Sequence, residues 1–493
     1  MTSDLPESGR PSWTKGIIGR FVHLLSAQVV DGVLSGIFLV LYLPRLGTAV
    51  YGEVMYAMAA GAIVMKVVQF GLYYPLVSDL GGGGKDKAPE ILSRVNVIKT
   101  LLATASAAAV GGMTLFGGFS QQMGLVLFLI SLGFALEGLA DTFFADLRVR
   151  GRQDQEARIK IISAAASYGY GLIAAVAGLN PVVVSLFKLV SAAVRIWFGV
   201  AAYISYYSCG LWKSPQWPAV WRVFRAAVIF ALIDILGIIY NKTNIFFLES
   251  ATGVEGVAWY SATWNILDPV STLASEQFLG WVIFPLLASL WWSNSELVRR
   301  LVRRNAQWLM AMALPIMFFL YAEADLLIGV IYPAEYKDAA WMQQYLVWTI
   351  LLSFESNLFC YVMMVAGAAN MLLVFASITT ILNLVFNVAL VQHLGLAGGC
   401  LVIILTKLMM TVLTFTYCQW RFHFFRWGDF LFPIALGAVS VALFTAIRQV
   451  TILHLAVTVA LVFYLLVLWK VGPRFLGSFS SKIEAPPGNE PGV

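Results

Sequence analysis

Apolar runs of 18 or more residues recur from one end of the chain to the other, separated by short polar stretches rich in Lys, Arg, Gly and Trp. A run of about 20 apolar residues, wound as a helix, crosses a ~30 Å hydrocarbon core. The pattern predicts fourteen helices, at 17–43, 50–78, 95–117, 122–147, 159–179, 182–208, 226–249, 257–290, 306–331, 340–366, 371–392, 397–420, 428–447 and 451–471. Gly117–Gly118 and the Ser120-Gln-Gln turn divide the third from the fourth, and Asn180–Pro181 divides the fifth from the sixth. The first run is about 27 residues, too long for a signal-peptide core, and no small-residue cleavage site follows it, so no cleaved signal peptide is expected.

The distribution of Lys and Arg sets the orientation. With the N-terminus inside, the basic clusters 10–20, 85–94, 148–160, 213–225, 299–304, 421–426 and 470–482 all fall on the inner side, and only Arg45, Lys337 and Arg448 fall outside. A miscounted helix would invert this alternation partway, so both termini are predicted to be cytoplasmic in a bacterial inner membrane. Trp212, Trp217, Trp221, Trp291, Trp292, Trp420 and Trp427 flank the basic clusters as an inner interfacial belt. The tail beyond Ser478, rich in Pro and Gly, reads as disordered.

Composition agrees. Of 493 residues, 60% are hydrophobic and 12% charged, about half the charge of a soluble domain. The net charge of +6 is confined to loops, so it follows membrane orientation and implies no nucleic acid partner. Cys209, Cys360, Cys400 and Cys418 have no metal-ligand spacing, His23, His393, His423 and His454 are scattered, and no metal or cofactor is expected. Gly81–Gly84 followed by Lys85 lacks the first Gly and the Ser/Thr of a phosphate loop, with Asp79 and Asp86 in the flanking positions. The outer loops are too short to build a glycosyltransferase or polymerase site, so the chain is not expected to be an enzyme.

Candidate chemistry therefore rests on charge within helices, which costs about 2.5–3.5 kcal/mol per residue at mid-helix on insertion scales. Asp31 shares a face of the first helix with Gln28 and Ser35, and Lys66 lies midway along the second. They read either as a polar stripe on a cavity or as one ion pair across a hairpin. The seventh helix carries Asp234, Asn241, Lys242 and Asn244; the eighth carries Asp268-Pro269, Ser271, Thr272, Ser275 and Glu276. Pro269 frees a carbonyl, which is tolerated where polar groups or water line a cavity. Glu137 and Asp141 on the fourth helix face Lys188 and Arg195 on the sixth as an expected ion-pair staple, and Lys99 is expected to snorkel to the inner interface. Glu355 and Lys407 stay unassigned. A faint echo, Gly52 to Tyr56 and Gly256 to Tyr260, fits a chain of two six-helix repeats.

The stretches Leu43-Pro-Arg45-Leu-Gly47-Thr-Ala-Val-Tyr51-Gly52, Gly71-Leu72, Gly253-Val-Glu-Gly256-Val-Ala-Trp-Tyr260-Ser-Ala262, Ile331-Tyr-Pro-Ala-Glu-Tyr336-Lys-Asp-Ala339 and Asn383 to Asn387 with Leu394-Gly395-Leu-Ala-Gly398 resemble, in order, motifs of the polysaccharide-exporting (Wzx-type) flippases of the MOP superfamily. The chain departs from that pattern at Gln392-His393, where the family often has Pro, and at Lys242-Thr-Asn244, where it often has Asp. Related lipid II flippases carry arginines in their first, second and eighth helices; none of these helices has a mid-membrane arginine here.

The resemblance implies an all-α polytopic protein with two six-helix lobes around a central cavity and two C-terminal helices: an N-lobe at 1–225, a C-lobe at 226–425, helices thirteen and fourteen at 426–477 and a tail at 478–493. It implies undecaprenyl-diphosphate-linked oligosaccharide as cargo, alternating access as mechanism, and membrane lipids with glycosyltransferases or a polymerase of the same route as partners. On this reading Lys66 and Lys242 attract the diphosphate, Asn241 and Gln28 line the cavity, and Asp31, Asp268 and Glu276 balance its charge, with one of them a candidate for H⁺ or Na⁺ coupling. The alternatives are a cation-coupled multidrug exporter of the same superfamily and a non-transporting component of a glycan-assembly complex.

Overall fold

The computed structural model describes residues 12–82, 87–207, 216–272, 278–280, 283–426 and 428–476. Their regular structure is helical, without a strand among the described residues. In chain order, α1 is Ser12–Ser35, α2 Thr48–Gln69, α3 Tyr73–Gly82, α4 Ala88–Phe116, α5 Gln121–Val149, α6 Gln153–Val176, α7 Pro181–Ser185, α8 Phe187–Tyr207 and α9 Trp217–Thr272. Then come α10 Phe284–Leu290, α11 Ser295–Ala322, α12 Ala324–Ile331, α13 Ala340–Leu346, α14 Trp348–Val365, α15 Ala369–Phe386, α16 Gln392–Phe422, α17 Leu431–Arg448 and α18 Leu453–Leu476.

Among the described residues, twelve helices are long and apolar enough to cross a membrane. Two of these are double length: Trp217–Thr272 has 56 residues and Ala369–Phe422 has 54. Each would run roughly 80 Å if straight, far more than one crossing needs. Each instead breaks at a glycine whose backbone L side chains rarely adopt, Gly253 at φ 72°, ψ −179° and Gly395 at φ 55°, ψ −125°. With each long helix counted as two, the architecture is compatible with the fourteen helices expected.

Local chemistry sets the ends. Ser120 accepts a hydrogen bond from Met123 N and Asn180 one from Val182 N ahead of Pro181, so both expected turns are capped starts. The helix expected at 50–78 stops earlier, because Phe70 and Gly71 are left-handed (φ 44° and 58°). There Phe70 stacks on Phe224, and Gly71 lies against the backbone of Phe230 and Ala231, leaving no space for a Cβ. The helix expected at 306–331 begins earlier, at Ser295, since Asn294 caps Leu297 N and the Arg299–Arg304 cluster lies within its first turns. The helix expected at 257–290 is described as the end of α9 and, after residues outside the description, α10.

The chain forms two compact units. One comprises Met1–Ala262, Ile328–Ala339 and Ala376–Ile403; the other comprises Thr263–Leu327, Ala340–Phe375 and Ile404–Val493. In the first, α5 is the central helix and packs on α2, α4 and α8. Gly133 and Gly138 let neighbours close in: a Cβ at Gly133 would stand 2.8 Å from the Lys188 backbone, and one at Gly138 would stand 3.0 Å from Val68. Small residues at such crossings are how helices associate where lipid is as apolar as leucine. In the second unit α11 packs on α14, α17 and α18, with Tyr464 Oη donating to Ala311 O at 2.8 Å and Gln343 to Leu320 O at 2.8 Å.

Candidate functional site

Within the first unit the structure builds a buried charge cluster. Lys188 Nζ donates to both Glu137 oxygens at 3.2 and 3.1 Å, Arg195 Nη1 lies 3.6 Å from Oε2, and Ser191 Oγ donates to Oε1. This is the staple between α5 and α8 that the spacing predicts, with Glu137 as its centre. Asp141 instead accepts from Gln69 at 2.5 Å, tying α5 to α2. Asp31, half-buried on α1, lies in the field of Arg195 and Lys188. It is the fourth charge facing a triad that alone carries one surplus positive charge.

Lys66, half-buried on α2, acts on Asp234 of α9 instead. Sequence reasoning noted Asp234 but not this partnership, which depends on how α9 rotates against α2. Lys242 is also half-buried, and among the described residues neither lysine lies within ion-pair distance of a carboxylate. Asn241 donates to Gly237 O of its own helix at 2.9 Å, and Gln28 is exposed. Lys99 does not snorkel: it is 4% exposed and donates to Gly138 O at 2.8 Å. α4 starts at Ala88, which puts Lys99 three turns inside, and the missing side chain of Gly138 leaves that carbonyl open to it.

Below Lys242 the same helix carries a carboxamide cluster. Asn244 is fully buried and donates to Gly399 O at 3.0 Å; its Oδ1 accepts from Asn387 at 2.9 Å and from Asn383 at 3.3 Å. Asn387 opens the π-turn Asn387–Val391. Asn244 is thus one element of a neutral network across α9, α15 and α16.

The stretches that carry the family resemblance converge in the first unit. Tyr51 packs edge-on against Tyr336, centroids 5.8 Å apart, and Tyr336 against Tyr332 at 5.3 Å. Tyr332 Oη donates to Ala262 O at 2.8 Å and Trp259 Nε1 to Glu335 O at 3.0 Å. A Cβ on Gly52 would meet Val254 O at 1.9 Å. The start of α2, the limb of α9 after Gly253 and the 3₁₀ turn Ala334–Ala339 thereby form one aromatic lock.

In the second unit Asp268 is half-buried beside Pro269. Glu276, with Ser275, lies outside the described residues, as do Lys85, Cys209, Trp212, Trp427 and the tail. Lys407 donates to Ser353 Oγ at 2.6 Å and sits 5.5 Å from the Trp264 ring. Glu355 is buried with no hydrogen-bond partner on either oxygen among the described residues; sequence reasoning placed it within a helix but had no signal for its surroundings.

A model of the family described as polysaccharide biosynthesis protein matches residues 46–341, a stretch containing Lys66, Lys242, Asp268 and three of the interlocking segments. The chain belongs to this family. Among solved structures it is similar to an inward-facing multidrug resistance MATE transporter of the MOP superfamily, at 14% identity and a TM-score of 0.63, covering 82% of this chain and 98% of that one. It is similar to the lipid II flippase MurJ in an inward closed conformation, at 11% identity and a TM-score of 0.62, covering 93% and 99%. A MOP superfamily transporter from Pyrococcus furiosus, whose reverse pocket polarity suggests a different function, aligns at 15% identity and a TM-score of 0.56, covering 83% and 96%. At these identities the likeness shows the fold: this member of the polysaccharide biosynthesis family is a membrane-embedded helical protein with the MOP transporter architecture. No curated protein matches the chain by sequence.

Proposed function

We propose that the protein is a flippase that carries an undecaprenyl-diphosphate-linked oligosaccharide from the inner to the outer leaflet of the bacterial inner membrane, with both termini cytoplasmic. The observation that carries this reading is the state of two lysines. Lys66 and Lys242 sit in membrane-spanning helices, half-buried, without a carboxylate at ion-pair distance among the described residues. An ammonium without a carboxylate at ion-pair distance is costly in such a place, and a diphosphate offers it a direct counter-charge. Such lysines suit a cationic drug poorly, which favours this cargo over multidrug export.

Lys66, with Asp234 within its field, and Lys242 hold the diphosphate. Asn241 and Gln28 offer hydrogen bonds to it, and Asp31 and Asp268, with Glu276, offset the positive charge when the site is empty. Two lobes, 1–225 and 226–425, open the site alternately to each side. The membrane potential favours outward movement of an anion by ~2.3 kcal/mol per charge per 100 mV, so part of the drive needs no coupling ion. Membrane lipids and the glycosyltransferases or polymerase of the route are the expected partners.

The test is export of lipid-linked glycan in cells carrying Lys66→Ala or Lys242→Ala at matched protein levels. A charge-assisted contact is worth about 1.5–3 kcal/mol, so each variant weakens cargo binding by about tenfold or more, and Lys→Arg retains most of the export. Normal export in both alanine variants, or loss of drug resistance with normal glycan export in cells lacking the protein, overturns the reading.

A further inference from the structure

Glu355 lies midway along α14, in the second unit, and is 7% exposed. Among the described residues, neither carboxyl oxygen has a hydrogen-bond partner. On its own helix it shares a face with Leu351, Leu358, Phe359 and Val362, the last three buried. Lys407 of α16 donates to Ser353 Oγ at 2.6 Å. Ser353 stands two residues from Glu355, on the opposite side of the helix.

The described elements packed against α14 carry the following other ionisable groups. On α11 they are Glu296, the Arg299–Arg304 cluster near its start, and Tyr321. α13 carries Tyr345, and α10 none. On α16, besides Lys407, they are His393, Cys400, Tyr417, Cys418 and Arg421; Cys360 and Tyr361 are on α14 itself. None of them forms an ion pair or hydrogen bond with Glu355 among the described residues.

An ionised carboxylate with no partner in such a place costs several kcal/mol, and a neutral acid costs far less. A sodium ion is a poor alternative occupant. It needs a shell of oxygens, but Ser356 Oγ is turned to Ser353 O at 3.3 Å, Ser353 Oγ is taken by Lys407, and the described residues hold no group of three acidic, His or Cys side chains suited to a metal.

We propose that Glu355 is a proton-binding site that couples export to proton entry. The carboxylate takes H⁺ from the outer medium, becomes a neutral acid that tolerates burial on α14, and returns the proton to the cytoplasm when the cycle opens that face to water. This moves coupling away from Asp31, Asp268 and Glu276, and it deepens the export reading, on which only the identity of the driven cargo rests.

The test has two readouts on the full chain. In liposomes, infrared difference spectra between neutral and alkaline pH show a protonated-carboxyl C=O band that vanishes in Glu355→Gln and shifts in Glu355→Asp. This readout needs no cargo, so it stands or falls separately from the export reading. In cells, collapse of the proton gradient slows wild-type glycan export severalfold, whereas Glu355→Gln exports at a low rate that no longer responds to the gradient. A band that persists unchanged in Glu355→Gln overturns the site. A band assigned to Glu355 together with export equally gradient-dependent in wild type and Glu355→Gln overturns the coupling. Glu355→Asp, which keeps the acid, retains gradient-dependent export if the proposal holds and shows that the fold survives change at this position.

Discussion

The carbonyl oxygen of Val254 occupies the space a side chain on Gly52 would need, 1.9 Å from the Cβ position. Both residues fall in the stretches that carry the family resemblance, and the contact joins the start of α2 to the limb of α9 beyond its break. Gly52→Ala must push these backbones apart. Overpacking of this kind costs about 1–3 kcal/mol, so the variant melts at lower temperature than wild type in detergent. Gly112→Ala, where a Cβ meets nothing within 4 Å, leaves the melting curve in place.

Gly253 tests a different cause. A Cβ there also meets nothing within 4 Å, yet its φ of 72° belongs to glycine. Gly253→Ala therefore loses stability through backbone strain alone, about 1–3 kcal/mol. Thermal unfolding of this variant shows a drop comparable with that of Gly52→Ala, though no neighbour is displaced.

Glu137 balances Lys188 and Arg195 inside the membrane. Glu137→Ala leaves two buried cations without their directly paired carboxylate, a loss of about 3–5 kcal/mol. The folded yield of purified protein falls sharply. Combining it with Lys188→Met removes one of the two stranded charges and recovers part of that yield, a coupling that a double-mutant cycle reads directly.

Asn244 is fully buried, with hydrogen bonds to Asn383, Asn387 and the Gly399 carbonyl. Asn244→Leu strands those partners, at about 1–3 kcal/mol for each group left unsatisfied. Melting of Asn244→Leu drops accordingly, while Asn244→Asp, which keeps the acceptor but loses the donor to Gly399, falls between it and wild type.

Much of this architecture is legible in the sequence because its causes are local. Hydrophobic run length, Ser120 and Asn180 as caps, and the flanking arginines are read without knowing what packs where. The site is less legible because partner choice depends on helix rotation. Asp31 and Lys66 are equally plausible partners on paper, yet Asp31 lies in the field of Arg195 and Lys66 acts on Asp234. Lys99 looks close to an interface until the helix start at Ala88 moves it inward. The isolation of Glu355 is a property of its neighbours, and no spacing rule reports it. The tyrosines at 51, 332 and 336 are legible only as separate motifs; their stacking appears once residues nearly 300 positions apart are in one unit.

The interleaving of the two compact units bears on how the chain matures. The first unit takes its final segment from Ala376–Ile403, so it stays incomplete until roughly four-fifths of the polypeptide has left the ribosome. Until then the Asn244 amide has no Asn383, Asn387 or Gly399 to bind. Early helices must wait in the bilayer with polar faces exposed to lipid or to an insertion chaperone. Truncations that end before residue 376, however neatly they fall between helices, are expected to be cleared by membrane proteases rather than to accumulate as a stable half.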